Sequence, residues 1–191
     1  SIALLYAAAF PDRVGGLIAL APHIRVEELS LSSIRQTHAD FHAPGSPLQA
    51  GLAKYHDDVH SAFGGWSGAW LHQDFPQWDI RQSLDAIRCP VLAIQGEDDA
   101  YGTMRQIEEI APTRGPLQLE KLAACGHSPH REAPEATLDA ITQFAKAVLH
   151  DDGSQGRAAA GPYRDLRDLR RRLDGGYTVG LGGRGLLAAG D

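Results

Sequence analysis

The sequence predicts an α/β protein with a parallel sheet, on three observations. Residues 14–21, centred on Leu17-Ile18-Ala19-Leu20-Ala21, and residues 90–94, Pro-Val-Leu-Ala-Ile, are apolar at successive rather than alternate positions, the pattern of strands covered on both faces. Segments with helical spacing of apolar residues alternate with these strands, which implies a parallel arrangement. The residue types that carry chemistry stand just after the strands, where an open parallel sheet binds its ligands.

Taken in order, Ile2, Leu5, Tyr6 and Ala9 recur at helical spacing, and Pro11-Asp12 ends that helix. The 14–21 strand follows. The 67 residues from His23 to Cys89 are too long for a crossover loop and hold all three tryptophans and most of the histidines. Spacing at Leu52, Tyr55 and Val59, and again at Ile80, Leu84 and Ile87, predicts a helical insertion over about 23–88, of the kind that serves as a lid or substrate-binding element. After the 90–94 strand, ended by Gly96, Thr103 is expected to cap a helix carrying Met104, Ile107 and Ile110, stopped by Pro112. Residues 117–122 form a third, peripheral strand. Pro134 opens a long helix with Leu138, Ile141, Phe144, Ala145 and Val148 as its apolar stripe.

The 191 residues carry 18 basic and 24 acidic side chains, a net charge of −6, with 43% apolar and 22% charged residues. Those values exclude whole-chain disorder and coiled coil. The acidic balance argues against a nucleic-acid or anionic-membrane partner. Cys89 and Cys125 are the two cysteines, too few for a disulfide framework or a cysteine-rich zinc site, and the expectation is a reducing, cytoplasmic setting. No apolar run approaches the length of a membrane span. Residues 151–191 hold 10 of the 21 glycines and 7 of the basic residues, all arginine. The expected organisation is therefore a core over 1–149 and an unstructured Gly/Arg-rich tail over 150–191. Within the tail Leu166, Leu169 and Leu173 offer only a marginal helix, and Arg170 to Arg172 are read as a solvated face.

Two turns stand out. Gly96-Glu97-Asp98-Asp99 follows the second strand, and Cys125-Gly126-His127-Ser128-Pro129-His130 follows the third. An acid and a histidine on neighbouring strand ends are what is needed to orient an imidazole and stabilise its cation. His56 and His60, four apart, have a spacing metals can use, but no third ligand follows, and a solvated or substrate-facing helix is the expectation. Trp66, Trp70 and Trp78 are expected to pack within the insertion, where one of them is a candidate to line an apolar acyl pocket. Cys125 reads as a small buried hydrophobe rather than a nucleophile. Ser1 as an N-terminal nucleophile lacks any supporting signal.

The phrases FPDRVGGLIALAP, CPVLAIQGEDDAYG and ACGHSPHREAPEATLDAITQF resemble the C-terminal part of α/β-hydrolase fold proteins, covering residues 1–149. The resemblance implies the last three strands of that parallel sheet with a helical lid. It puts the acid of Gly-x-x-Asp at Asp99, with Asp98 second, and the base of Gly-His at His127, with His130 a cap-facing or surface residue. In that fold the nucleophile sits on a Gly-x-Ser-x-Gly turn before a helix like the one at 2–10. That motif does not precede the helix here, so the expectation is a chain starting just after the nucleophile elbow and inactive by itself. An exposed edge at residues 17–21 would then make it prone to aggregate. The implied activity is hydrolysis of a small-molecule carboxylic ester or thioester without cofactor or metal. The alternatives are other chemistries of the superfamily, namely carbon–carbon bond hydrolysis, epoxide opening, dehalogenation and haloperoxidation, or a non-catalytic fragment.

Overall fold

The structure, a computed structural model, describes residues 1–151 and the pair Ala188–Ala189. The expectations for Leu166, Leu169, Leu173 and Arg170 to Arg172 lie outside the described residues. Helix α1 (Ile2–Ala9) leads through a 3₁₀ turn (Pro11–Arg13) to strand β1 (Leu17–Leu20). Strand β2 is Val91–Gly96 and β3 is Leu117–Leu122. All pair in parallel, Leu17 opposite Val91 and Val91 opposite Leu117. A two-residue strand β4 (Ala188–Ala189) pairs in parallel with Ile18 and Ala19, so the sheet order is β3-β2-β1-β4. The expected three strands are there, and the β1 edge expected to lie bare is covered over those two positions.

Strand neighbours point to opposite faces, and two cores result. Leu17, Val91 and Ala93 pack with Leu4, Ala7, Leu84, Ile87, Ile107 and Ile110 on one face. Ile18, Leu92 and Ile94 pack with Cys125, Ala140 and Phe144 on the other, beneath helix α7 (Pro134–Asp151). Ile141, Phe144 and Val148 of the expected α7 stripe pack on this core, and Leu138 departs from it. Thr137, Ala140 and Phe144 are buried while Leu138 is 63% exposed, because Thr137 turns inward to donate its hydroxyl to the Pro129 carbonyl at 2.9 Å.

The insertion holds three α-helices, α2 (Glu28–His42), α3 (Pro47–Leu52) and α4 (Val59–Trp70), followed by a 3₁₀ turn at Phe75–Gln77 and a 3₁₀ helix at Arg81–Ala86. Leu52, Tyr55 and Val59 do not share a helix, as the spacing suggested: Asp58 caps α4 through the Ser61 amide and Tyr55 is 81% exposed in the turn. The insertion's two ends are tied at a neck, where Arg25 bridges Asp79 in antiparallel fashion, the Val26 amide donates to Trp78 and the Ile80 amide to Ile24. Arg25 and Arg81 both grip Glu109, at 3.0 and 2.9 Å.

Helix α5 is shorter than expected, Arg105–Glu108, and Thr103 does not cap it. The Thr103 hydroxyl and amide are spent instead on the Glu27 carboxylate, each at 2.8 Å. No helix among the described residues is long and apolar enough to cross a membrane.

The turns after β2 and β3 are zipped together. The Glu97 amide donates to Leu122 and the Asp98 amide to Cys125, both at 2.9 Å. A Cβ at Gly96 would stand 2.0 Å from the Cys125 carbonyl oxygen, so only glycine allows this approach. Gly96→Ala is expected to cost about 3 kcal/mol, the upper range for overpacking, read as a lower urea midpoint.

Candidate active site

The zipped turns bring Asp99 and His127 face to face. His127 Nδ1 lies 3.0 and 2.9 Å from the two Asp99 carboxylate oxygens. A carboxylate only accepts, so Nδ1 carries the proton and Nε2 is the basic nitrogen of the neutral ring. The Asp99 side chain is 1% exposed and that of His127 23%, which buries the acid and leaves the imidazole reachable. Asp98 is exposed, and its backbone serves the zipper. His130 is exposed on α6 (Pro129–Glu132).

Both members of the pair are held by neighbours. The Tyr101 amide donates to Asp99 Oδ1 at 2.8 Å and Gln95 Nε2 to Oδ2 at 3.1 Å. Around His127, the Glu132 carboxylate takes the amides of Gly126 and Ser128, one on either side, at 2.8 and 2.9 Å. Ala124, just before this turn, has φ of 51°, and Ala21 after β1 has φ of 41°. Left-handed backbone at non-glycine residues costs about 1–3 kcal/mol each and gathers at functional sites.

Burial works to raise the Asp99 pKa. The hydrogen bonds from His127 and the Tyr101 amide, with the charges of His127 and His23, outweigh it and hold the carboxyl below its usual range. Cys125 goes the other way: its thiol is pushed up by burial and by the negative charges of Glu132, Asp99 and Asp98, which disfavours a thiolate.

Three residues absent from the sequence reading complete the surroundings. His23, 4% exposed, lies between Trp70 and His127 with ring centroids at 4.8 and 5.7 Å, and its Nε2 donates to the Tyr101 carbonyl at 3.0 Å. The Ser1 hydroxyl donates to the His23 carbonyl. Tyr101 lies 5.0 Å from the His127 ring, and its carbonyl also accepts from Ser30 of α2. Gln95 reaches the acid from β2. The signal for His23 and Tyr101 was their position, just beyond a strand and in the acid's turn.

Among the tryptophans, Trp66 packs on Phe63, Trp70 on Phe75 as well as His23, and Trp78 stacks on Phe75. An open groove of about 450 Å³ is lined by Ala69, His72, Phe75 and Trp78, and contains neither Asp99 nor His127. His56 lies in the turn before α4 and His60 within it, so the pair is not on one helix face as the spacing suggested. No group of three or more metal-binding side chains comes together among the described residues.

A parallel α/β sheet with a helical insertion after β1, an acid after β2 and a histidine after β3 defines a class by architecture: the chain has the fold of the α/β hydrolases. No family model matches it. Its sequence is similar to human monoacylglycerol lipase ABHD6, 28% identical over 79 residues, 41% of this chain and 23% of that protein. Its structure is similar to a membrane phospholipase A described as a bacterial virulence factor, with a TM-score of 0.59, 21% identity, and 78% of this chain and 54% of that one covered. It is likewise similar to NosK from Streptomyces actuosus, with a TM-score of 0.61, 17% identity, and 78% and 65% covered. The chain thus spans about a quarter of the curated relative and rather more than half of the structural neighbours.

A lowered carboxylate pKa in the folded state stabilises the protein above the unfolded value, near pH 3.9, and that contribution is lost as pH falls through the folded value. Asp99→Asn is therefore expected to flatten the acid limb of a stability–pH curve from urea unfolding while lowering stability at pH 7.

Proposed function

We propose that the chain is the acid–base half of a serine-type hydrolase acting on a carboxylic ester or thioester of a small molecule. The observation that carries this reading is the contact of His127 Nδ1 with both oxygens of the buried Asp99 carboxylate. In this reading a serine hydroxyl attacks the carbonyl. His127 Nε2 takes the hydroxyl proton and returns it to the leaving group, and Asp99 holds the tautomer and stabilises the cation. The insertion acts as the lid. The neutral, hydrogen-bonded Cys125 argues against a cysteine nucleophile at this turn. The lipase names of two of the similar proteins support ester chemistry. No cofactor is needed for it.

The test is to express the protein from its full reading frame and assay short-chain p-nitrophenyl esters together with labelling by a fluorophosphonate. The expected outcome is a labelled serine and a rate that falls about 10²- to 10⁴-fold in His127→Ala. A folded protein that is neither labelled nor dependent on His127 would overturn the reading.

A further inference from the structure

We infer that Gln95 is a positioning residue for the acid: its carboxamide N–H, anchored on two backbone carbonyls, sets which way the Asp99 carboxylate faces and hence how His127 is presented. The inference rests on the reading of Asp99 and His127 as an acid–base pair.

Strand β2 is buried along its whole length, and its first four residues are aliphatic. Gln95 breaks that run with a polar side chain only 1% exposed. Its Nε2 lies 2.7 Å from the Gly102 carbonyl, 3.1 Å from Asp99 Oδ2 and 3.2 Å from the Thr103 carbonyl. Three acceptors around one end leave the amide a single orientation, since turning it over would aim an oxygen at all three. Gly102 lets the turn close here, for a Cβ at that position would come within 3.3 Å of the same nitrogen.

The other end of the amide shows what this placement is for. Gln95 Oε1 is buried with no hydrogen-bond partner among the described residues, an unfavourable state that folded proteins rarely keep without cause. Gln106, equally buried, is the contrast. Its oxygen accepts from the Ile24 amide at 2.9 Å and its nitrogen donates to the Arg25 carbonyl at 3.0 Å, so both ends serve the neck of the insertion. Gln106 is a structural glutamine. Gln95 satisfies only its donor end, and that end faces the acid.

The effect on Asp99 follows from how its oxygens are shared. His127 Nδ1 straddles both, so it does not choose between them. The frame donors do: the Tyr101 amide takes Oδ1 and Gln95 takes Oδ2. Removing Gln95 leaves the Tyr101 amide as the one remaining frame donor beside His127, so the carboxylate loses one of the three groups that fix its rotation about the Cβ–Cγ bond.

The experiment is carbon-detected NMR titration of the Asp99 carboxyl in the 191-residue chain, alongside the Gln95 side-chain amide protons. In the wild type those amide protons are expected to shift with the same midpoint as Asp99. In Gln95→Met, which keeps the length and loses the donor, the Asp99 midpoint is expected to rise by about 0.5–1 pH unit, one donor's share of what two or three donors do to a carboxylate. A purely structural glutamine would leave that midpoint in place. Amide protons that stay flat through the Asp99 transition overturn the inference, as does a folded Gln95→Met whose Asp99 curve superimposes on the wild type. If Gln95→Met does not fold, the wild-type amide protons decide. His127→Ala separates the two levels: an Asp99 midpoint unmoved by that change removes the acid–base pair itself, whatever Gln95 does.

Discussion

A carboxylate shut away from water has to be met by donors, and meeting Asp99 organises much of this molecule. Its partners come from three places: β2 through Gln95, the acid's own turn through Tyr101, and the turn after β3 through His127. An ionised group this buried is tolerated only when paired and hydrogen-bonded. The lowered pKa of Asp99 is the sign that its donors more than offset the burial. The close approach at Gly96, the zipper from residue 97 to residue 125 and the left-handed Ala124 are the backbone conditions under which these donors converge.

The insertion is bound into the same arrangement. Ser30 and Ser33 of α2 donate to the carbonyls of Tyr101 and Ala100, and Thr37 reaches the Tyr101 hydroxyl at 3.0 Å. Glu27 receives both donors of Thr103. With the neck held by Arg25, Arg81 and Glu109, α2 is fixed to the acid's turn along its length and at its root. Such contacts describe a wall; motion within the insertion would have to come from α3, α4 and the turns that join them.

The sheet, the fold class and the facing of Asp99 and His127 were legible because each depended on a local signal. Continuous apolar runs report strands covered on both faces, and a turn after such a strand is where a parallel sheet places its polar groups. What escaped depended on tertiary packing. Helix α2 buries Leu31, Ile34 and Phe41 among mostly polar residues, since Ser30 and Ser33 are spent on the carbonyls of the acid's turn and Thr37 on the Tyr101 hydroxyl, so its periodicity was hidden. Thr103 had the look of a cap until Glu27, distant in sequence, claimed it. Leu138 fitted the apolar stripe of α7 that Ile141, Phe144 and Val148 do form, yet at the helix start it is Thr137 that is buried, for one hydrogen bond. Gln95 could not be distinguished in sequence from any polar residue closing a strand, because its role lies in which of its two ends is satisfied.

The wall around His127 links the Asp99–His127 pair to the shape of its surroundings. His23 and Tyr101 lie 5.7 and 5.0 Å from the imidazole, Trp70 of α4 lies on His23, and Tyr101 also contributes the amide that holds Asp99. One residue therefore belongs to the acid's turn, to the histidine's surroundings and to the contact with α2. A change in α2 that displaced Tyr101 would alter the space beside His127 and the donors on Asp99 together, because the same backbone carries both. The shape beside His127 and the hydrogen bonding of Asp99 are thus not separable in this fold by swapping the insertion alone. They are more separable from the side of α4, whose Trp70 meets the site through the His23 ring and makes no hydrogen bond to the acid.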